Sequence, residues 1–325
     1  MEITENLAQP KQKKMLTRRA KRAIFYTLLV IFPMFQWCVM YIGVHANSFV
    51  LALQQYNPDT NLMEFAGLKN FQDAWTYLFA PERSYLWSNS AKYLSLALVV
   101  RQTLTLAFSF YIYKKFPASG LFKVMLFLPG IVSGLVYSWA FRVIIDDVLP
   151  FYFNAEAGLL GGSKKFSFMI FYNLWLGFGS QMLIYSSGMS SIDNSIVEAA
   201  EVDGASLMQE FFHITIPMIS RTIMIFLITG LTTFFSTSLG LYDFFGANAG
   251  NAGTIGYQVY VDTLTANYEN VLKAPTYTAD GVYVPGDYKV SYMTLSAIGL
   301  LESLFLIPAV MGMRAFINKV APSAD

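Results

Sequence analysis

Cysteine and histidine are nearly absent from this chain, which has one of the former, Cys38, and two of the latter, His45 and His213. A lone thiol forms no intrachain disulfide, so cohesion must come from packing between helices. Two histidines far apart form no metal-spaced cluster, and each reads as a loop or interface residue rather than a ligand. Charge is scarce as well. Only 13% of the 325 residues are Asp, Glu, Lys or Arg and the net charge is +1, which removes any bulk attraction for nucleic acid. A phosphate-binding loop is missing, since the nearest approach, Gly158 to Lys165, lacks the GxxxxGK spacing with a following Ser or Thr. No His, Asp and Ser constellation gathers at one depth, as a membrane-embedded enzyme would require.

What the chain has instead is apolar length. Hydrophobic residues make up 55% and aromatics 16% of it, and the mean hydropathy is +0.44, outside the usual mix of a soluble domain. Crossing a bilayer takes about 20 mostly apolar helical residues, because no backbone amide can stay unpaired in hydrocarbon. Six segments meet this requirement, at 24–44, 91–113, 121–145, 167–189, 222–245 and 291–314, and predict an all-α polytopic membrane protein. The chain then divides into a basic N-terminus (1–23), a first span (24–44), an outer loop (45–90), a five-span core (91–314) and a tail (315–325). Read as buried helices of a soluble protein, these runs would lack amphipathic partners to cover them.

A basic run, Lys11, Lys13, Lys14, Arg18, Arg19, Lys21 and Arg22, precedes the first span and also fits the start of a signal peptide. The apolar stretch behind it continues through Phe49 to Leu53, beyond the roughly 7–15 residues of a signal core, and so favours an uncleaved helix. With that basic end inside, both termini are cytoplasmic. Lys and Arg then number 13 on the cytoplasmic side and eight outside, the excess that the positive-inside rule asks for. Loops 45–90, 146–166 and 246–290 face out, and 114–120 and 190–221 face in. The stretch from Ala274 to Lys289 is either a solvated surface loop or a small hairpin turning at Asp280-Gly281.

The inward loop 190–221 is long and acidic for a simple connector. It reads as a helix through Glu198-Ala199-Ala200-Glu201-Val202, a stop at Asp203-Gly204, and a second helical run before Pro217, after which the next span starts. Ile192, Ile196, Ala199, Ala200 and Val202 offer a small apolar surface, and Asp193, Glu198, Glu201 and Asp203 supply charge. Lys and Arg are nearly absent, so the loop is not made to hug anionic lipid. A groove on a protein partner is one use of it; a purely structural amphipathic helix is the other.

Glu198-Ala199-Ala200, Asp203-Gly204-Ala205, Phe211, Ile214 and Pro217 resemble, in register, the EAA motif of binding-protein-dependent ABC transporter permeases. The resemblance extends over most of the chain and is strongest to carbohydrate-uptake permeases of the maltose and glycerol-phosphate kind. It is carried by Phe65 to Trp75, Leu126 to Phe141, Trp175 to Ile192 and Gly250 to Val261. Two departures stand out: Asp193-Asn194 replaces the proline that often follows the isoleucine, as a helix N-cap would, and Ala249-Gly250-Asn251 stands for Gly-Gly-Pro before a longer insert.

The resemblance implies a type I ABC importer permease fold in a bacterial cell (inner) membrane. It implies a second homologous permease, an ABC ATPase dimer that consumes ATP and Mg, and a solute-binding protein as partners. The chain itself is then a non-catalytic transport subunit with no cofactor or metal of its own. Glu198, Ala199, Ala200, Asp203, Gly204, Ala205, Phe211 and Pro217 become the ATPase-coupling set.

A sugar path needs polar groups for hydroxyls and aromatic faces for C–H surfaces, which points to Tyr137, Trp139, Asn173, Trp175, Gln181, Thr232, Thr233, Ser236 and Asp243. The same residues also serve as packing glue or interfacial anchors. Arg101 and Glu302 lie at similar depths in the second and sixth spans, as a direct pair or as parts of a polar network. Import of a non-carbohydrate solute is the nearest alternative function, and a membrane-embedded enzyme a more distant one.

Overall fold

The computed structural model describes residues 17–153, 158–268, 271–273, 276–277, 283–284 and 287–320. It divides into two units, Met1–Leu51 and Ala52–Asp325. The first unit is helix α1 (Arg18–Ala52, whose last residue opens the second unit). Thr17 caps it by accepting from the Ala20 amide. None of its residues before Ala52 is buried, and beyond its basic first turns it is strongly apolar, which suits lipid better than water.

The second unit opens with a hairpin of β1 (Gln54–Asn57) and β2 (Leu62–Phe65), paired antiparallel from Gln54 with Phe65 to Asn57 with Leu62. Helix α2 (Lys69–Leu78) follows; Asn70 at its start donates to the carbonyls of Ala52 and Gln54, closing the hairpin's base. Then come α3 (Pro81–Tyr113), α4 (Ser119–Ile131) and α5 (Gly134–Tyr152), and α6 (Lys165–Ser190). The short helices α7 (Asn194–Val202) and α8 (Leu207–Glu210) follow, then α9 (Ser220–Ser236), α10 (Leu241–Phe245), α11 (Ile255–Thr265) and α12 (Tyr292–Val320). Strands Val271–Lys273 and Asp287–Lys289 pair antiparallel, as do Thr276–Tyr277 and Tyr283–Val284. These ladders are those of a hairpin; the expected turn at Asp280-Gly281 lies outside the described residues.

Among the described residues, four helices, α1, α3, α9 with α10, and α12, are long and apolar enough to cross a membrane, and α4 with α5 makes a fifth span if the bent pair is counted as one. The expected span at 121–145 is a bent pair: α4 and α5 meet at 106°. Val132 and Ser133 are extended, and Pro129 has no amide to donate to the preceding turn. The expected span at 222–245 is also interrupted. After Ser236 the chain leaves the helix, and Leu239 and Gly240 take positive φ before α10.

The expected span at 167–189 is a 26-residue helix, α6, long enough to cross but less apolar than the others. The reason is its position. Helix α6 packs against α3 and α4, so its polar groups meet protein rather than lipid. Ser109 of α3 donates to the Met182 carbonyl at 3.1 Å, and Gln102 of α3 donates to Tyr185, polar contacts of the kind that join membrane helices. At Gly179 the backbone of α4 comes so close that a Cβ would sit 2.8 Å from the Leu126 carbonyl oxygen.

Candidate functional site

Residues 190–221 form a compact helix–turn–helix. Asp193, extended, caps α7 (Asn194–Val202) by accepting from the Ser195 amide at 2.9 Å. That backbone bond, with a further one from the Ser195 side chain, holds the exposed Asp193 carboxyl below its ordinary range. The helix ends in a Schellman motif: the Gly204 amide donates to the Glu201 carbonyl at 3.1 Å and the Ala205 amide to Ala200 at 2.9 Å. Gly204 reaches φ +79, where a side chain would be strained.

Ser206 and Gln209 then form a reciprocal capping box on α8 (Leu207–Glu210). From there the chain stays helical through a widened turn, Phe211–Thr215, and Ile216–Met218, before α9 begins at Ser220. Pro217 lies in that last turn.

This motif is fastened to two of the long helices. Ile192, Val197 and Ile219 are buried with Leu106 and Phe110 of α3 and Tyr185 and Met189 of α6. Ile192 is thus part of the anchor, the structural use of the apolar surface, whereas Ala199 and Val202 of the same set are exposed. Phe211 packs against Phe110, with ring centroids 4.9 Å apart and planes tilted by 54°.

Lys114, one residue beyond α3, reaches into the loop. Its Nζ lies 2.7 Å from Glu210 Oε1 and 3.5 Å from Glu201 Oε1. Burial pushes the Lys114 ammonium down, but the bond and charge of Glu210, with the charge of Glu201, outweigh that and hold it above its ordinary value.

Within the expected coupling set, Glu198, Ala199, Asp203, Gly204 and Pro217 are exposed, and Ala200, Ala205 and Phe211 are half-buried. Around Glu198 and Ala199 the surface is apolar: Val202 is 86% and Met208 70% exposed, and Ile196, Leu207 and Phe212 are open as well. Exposed apolar side chains of this size, on a segment that also carries Glu198, Glu201 and Asp203, leave apolar surface for something else to cover. Lys114, Glu210 and the Ser206–Gln209 box were not among the residues read from the sequence. The Ser-x-x-Gln spacing was a usable signal for the box; Lys114 offered none beyond its charge.

The expected path residues scatter. Tyr137 and Trp175 line one cavity of about 290 Å³ together with Phe141, Phe171 and Tyr172. Asn173 sits beside them, but its amide is committed to the carbonyls of Met169 and Leu239, so it holds the break between α9 and α10. Asp243 is exposed on α10. Thr232, Thr233 and Ser236 donate to carbonyls of their own helix. Trp139 is 69% exposed and outside the cavity wall. Gln181 has a buried Oε1 with no hydrogen-bond partner.

Among the described residues, Arg101 and Glu302 form no ion pair. Arg101 places Nη1 3.5 Å from the Tyr93 hydroxyl, and Glu302 Oε1 is buried without a hydrogen-bond partner.

Several known proteins resemble the chain. A probable ABC transporter permease of Mycoplasma pneumoniae is 27% identical over 182 residues, 54% of each chain. The probable starch degradation products transport system permease AmyD of Thermoanaerobacterium thermosulfurigenes is 26% identical over 188 residues, 55% of this chain and 61% of its own. The arabinooligosaccharides transport system permease AraP of Bacillus subtilis is 25% identical, over 65% of this chain and 68% of its own. The chain spans a little over half the length of the first of these curated relatives.

In structure it is similar to a chain of the bacterial alginate ABC transporter crystallised with an alginate pentasaccharide-bound periplasmic protein. That match has a TM-score of 0.69 at 16% identity and covers 94% of this chain and 99% of that one. The fold is thus an all-α, polytopic type I ABC importer permease fold. A family model described as the binding-protein-dependent transport system inner membrane component matches residues 17–320, and the chain belongs to that family of membrane transport components.

Proposed function

We propose that this chain is the permease subunit of an ATP-driven, binding-protein-dependent importer whose cargo is a sugar or oligosaccharide. The observation that carries this reading is the helix–turn–helix at 190–221, a stiff body with an open apolar and acidic face built on the ends of α3 and α6. In this reading the face seats in a groove of an ABC ATPase dimer, which binds ATP and Mg, and Glu198 and Ala199 make the docking contacts. Gly204 and Asp203 set the turn, and Phe211 ties the turn to α3. One such loop engages half of an ATPase dimer, so a second, homologous permease completes the pore.

Both termini lie in the cytoplasm of a bacterial cell, with the β1–β2 hairpin and loop 246–290 toward a solute-binding protein. Closure of the ATPase then drives rigid-body rocking of the two permeases around a site near mid-membrane. Carbohydrate cargo is supported by the names of the relatives, among them permeases for starch degradation products and for arabinooligosaccharides. It is also supported by the aromatic cavity at Tyr137 and Trp175, whose ring faces suit sugar C–H surfaces.

The test is co-purification of the chain with its ATPase, partner permease and binding protein, comparing wild type with Glu198→Arg and Ala199→Trp. Both substitutions lie on exposed positions, so the variants insert and fold normally, yet they lose the ATPase and the binding-protein-stimulated ATP hydrolysis. Retention of the ATPase by both variants would refute the docking face.

A further inference from the structure

We propose that Lys114 is a positioning residue for energy coupling, a two-armed ionic latch that makes the 190–221 loop and α3 move as one body. The inference rests on the importer reading and adds to it the route by which motion at the loop enters the membrane.

Three observations converge on the latch. First, a single ammonium serves both helices of the loop, meeting Glu201 from α7 and Glu210 from α8. Second, the two arms differ in exposure. The side chain of Glu210 is 4% exposed and that of Lys114 15%, whereas Glu201 is 62% exposed. A buried pair of this kind is costly to open on one side, because the remaining charge is left without compensation. An exposed arm is weak and replaceable. Glu210 is therefore the fixed arm, and Glu201, on the same short helix as Glu198, is the arm that an arriving partner can perturb.

Third, the ammonium sits where helix geometry favours it. Lys114 follows the last turn of α3, and its own amide still donates to Phe110. The unpaired carbonyls of a helix C-terminus attract a cation, and the first turn of α8 favours the Glu210 carboxylate. The contact of Phe211 with Phe110 lies one turn away from Lys114 and supplies the apolar half of the joint. Apolar packing, here the ring contact and the buried Ile192, Val197 and Ile219, is non-directional and permits sliding. An ion pair on each of its helices removes the freedom.

The experiment uses the complete transporter in nanodiscs, in a Cys38→Ser background, with nitroxide labels on Asn194→Cys in α7 and Val99→Cys in α3, both exposed positions. The loop-to-span distance distribution is measured without nucleotide and after trapping with ATP, Mg and vanadate, alongside ATP hydrolysis. In the wild type the distribution stays narrow and unshifted in both states.

In Lys114→Met it broadens on trapping, and stimulated hydrolysis falls about fivefold although the ATPase still co-purifies. The swap Lys114→Glu with Glu210→Lys restores the narrow distribution. Glu201→Gln, an exposed change that leaves the fold intact, gives a partial broadening. A narrow distribution in Lys114→Met, or a failure of the swap to restore it, overturns the latch. If Lys114→Met does not fold, Glu201→Gln decides the matter, and a distribution identical to wild type overturns the proposal. Failure of the importer reading is a different result: the wild-type chain would then hold no ATPase at all.

Discussion

The 190–221 loop and the aromatic cavity around Tyr137 are both clusters of residues that transport chemistry would use, yet they are built in opposite ways. The loop is made from contiguous sequence, with its caps, turn and helices within about thirty positions, and it depends on the rest of the protein for an anchor only. The cavity is assembled from α5 and α6, with the break between α9 and α10 pinned alongside by Asn173. The loop is thus a self-defined part, and the cavity is a property of how helices pack.

The sharpest way to break this contrast is to attack the loop's ionic tie to Lys114. Glu210→Leu leaves Lys114 with its exposed partner only, and disrupting a buried pair typically costs about 3–5 kcal/mol. The expected outcome is a clear fall in the thermal midpoint of the purified chain; tolerance of the change would mean that the loop needs no ionic anchor. For the cavity, Asn173→Leu removes two hydrogen bonds to main-chain carbonyls, with an expected loss of about 2 kcal/mol. Thermal unfolding in detergent checks it, and the 190–221 loop should keep its protease resistance in this variant.

A pH effect separates both clusters from a third place. Asp262 on α11 is buried, and desolvation raises its carboxyl to about 7; only Oδ1 is bonded, accepting from Gln258. Between pH 4 and 7 the unfolded chain has released this proton and the folded chain still holds it. Stability therefore falls as pH rises through that window, by at most about 1.4 kcal/mol per pH unit, and levels off above it. Asp262→Asn should flatten the wild-type slope measured by thermal unfolding, whereas variants in the loop and the cavity should leave the slope unchanged. Smallest is Gly204→Ala, where a Cβ at positive φ costs about 1 kcal/mol. Faster hydrogen exchange confined to 199–206 is the expected sign.

The same contrast explains what could be read in advance. Glu198 to Pro217 carried a spaced motif, a glycine stop and an acidic pattern, so the helix–turn–helix was legible residue by residue. Asp193 as a cap was legible for the same local reason. Lys114 entered only as one positive charge among others, because nothing local links it to Glu210. Asn173 reads equally as a polar group for a solute or as glue between helices, and residue type alone does not show that its amide meets the Met169 and Leu239 carbonyls. Arg101 and Glu302 matched in depth, but depth says nothing about direction around a helix axis, and the two do not pair. The bend at Val132 was hidden because hydropathy averages over a window and is blind to a two-residue change in backbone direction.

Helix α6 packs against both α3 and α4, yet it is less apolar than the helices that pass the test for crossing a membrane. A segment of that composition gains little by entering hydrocarbon alone. Insertion of α6 is therefore expected to draw on α3 and α4, whose polar and small side chains it meets in the folded chain. The order of helices along the chain, with both neighbours made first, meets that requirement of biogenesis.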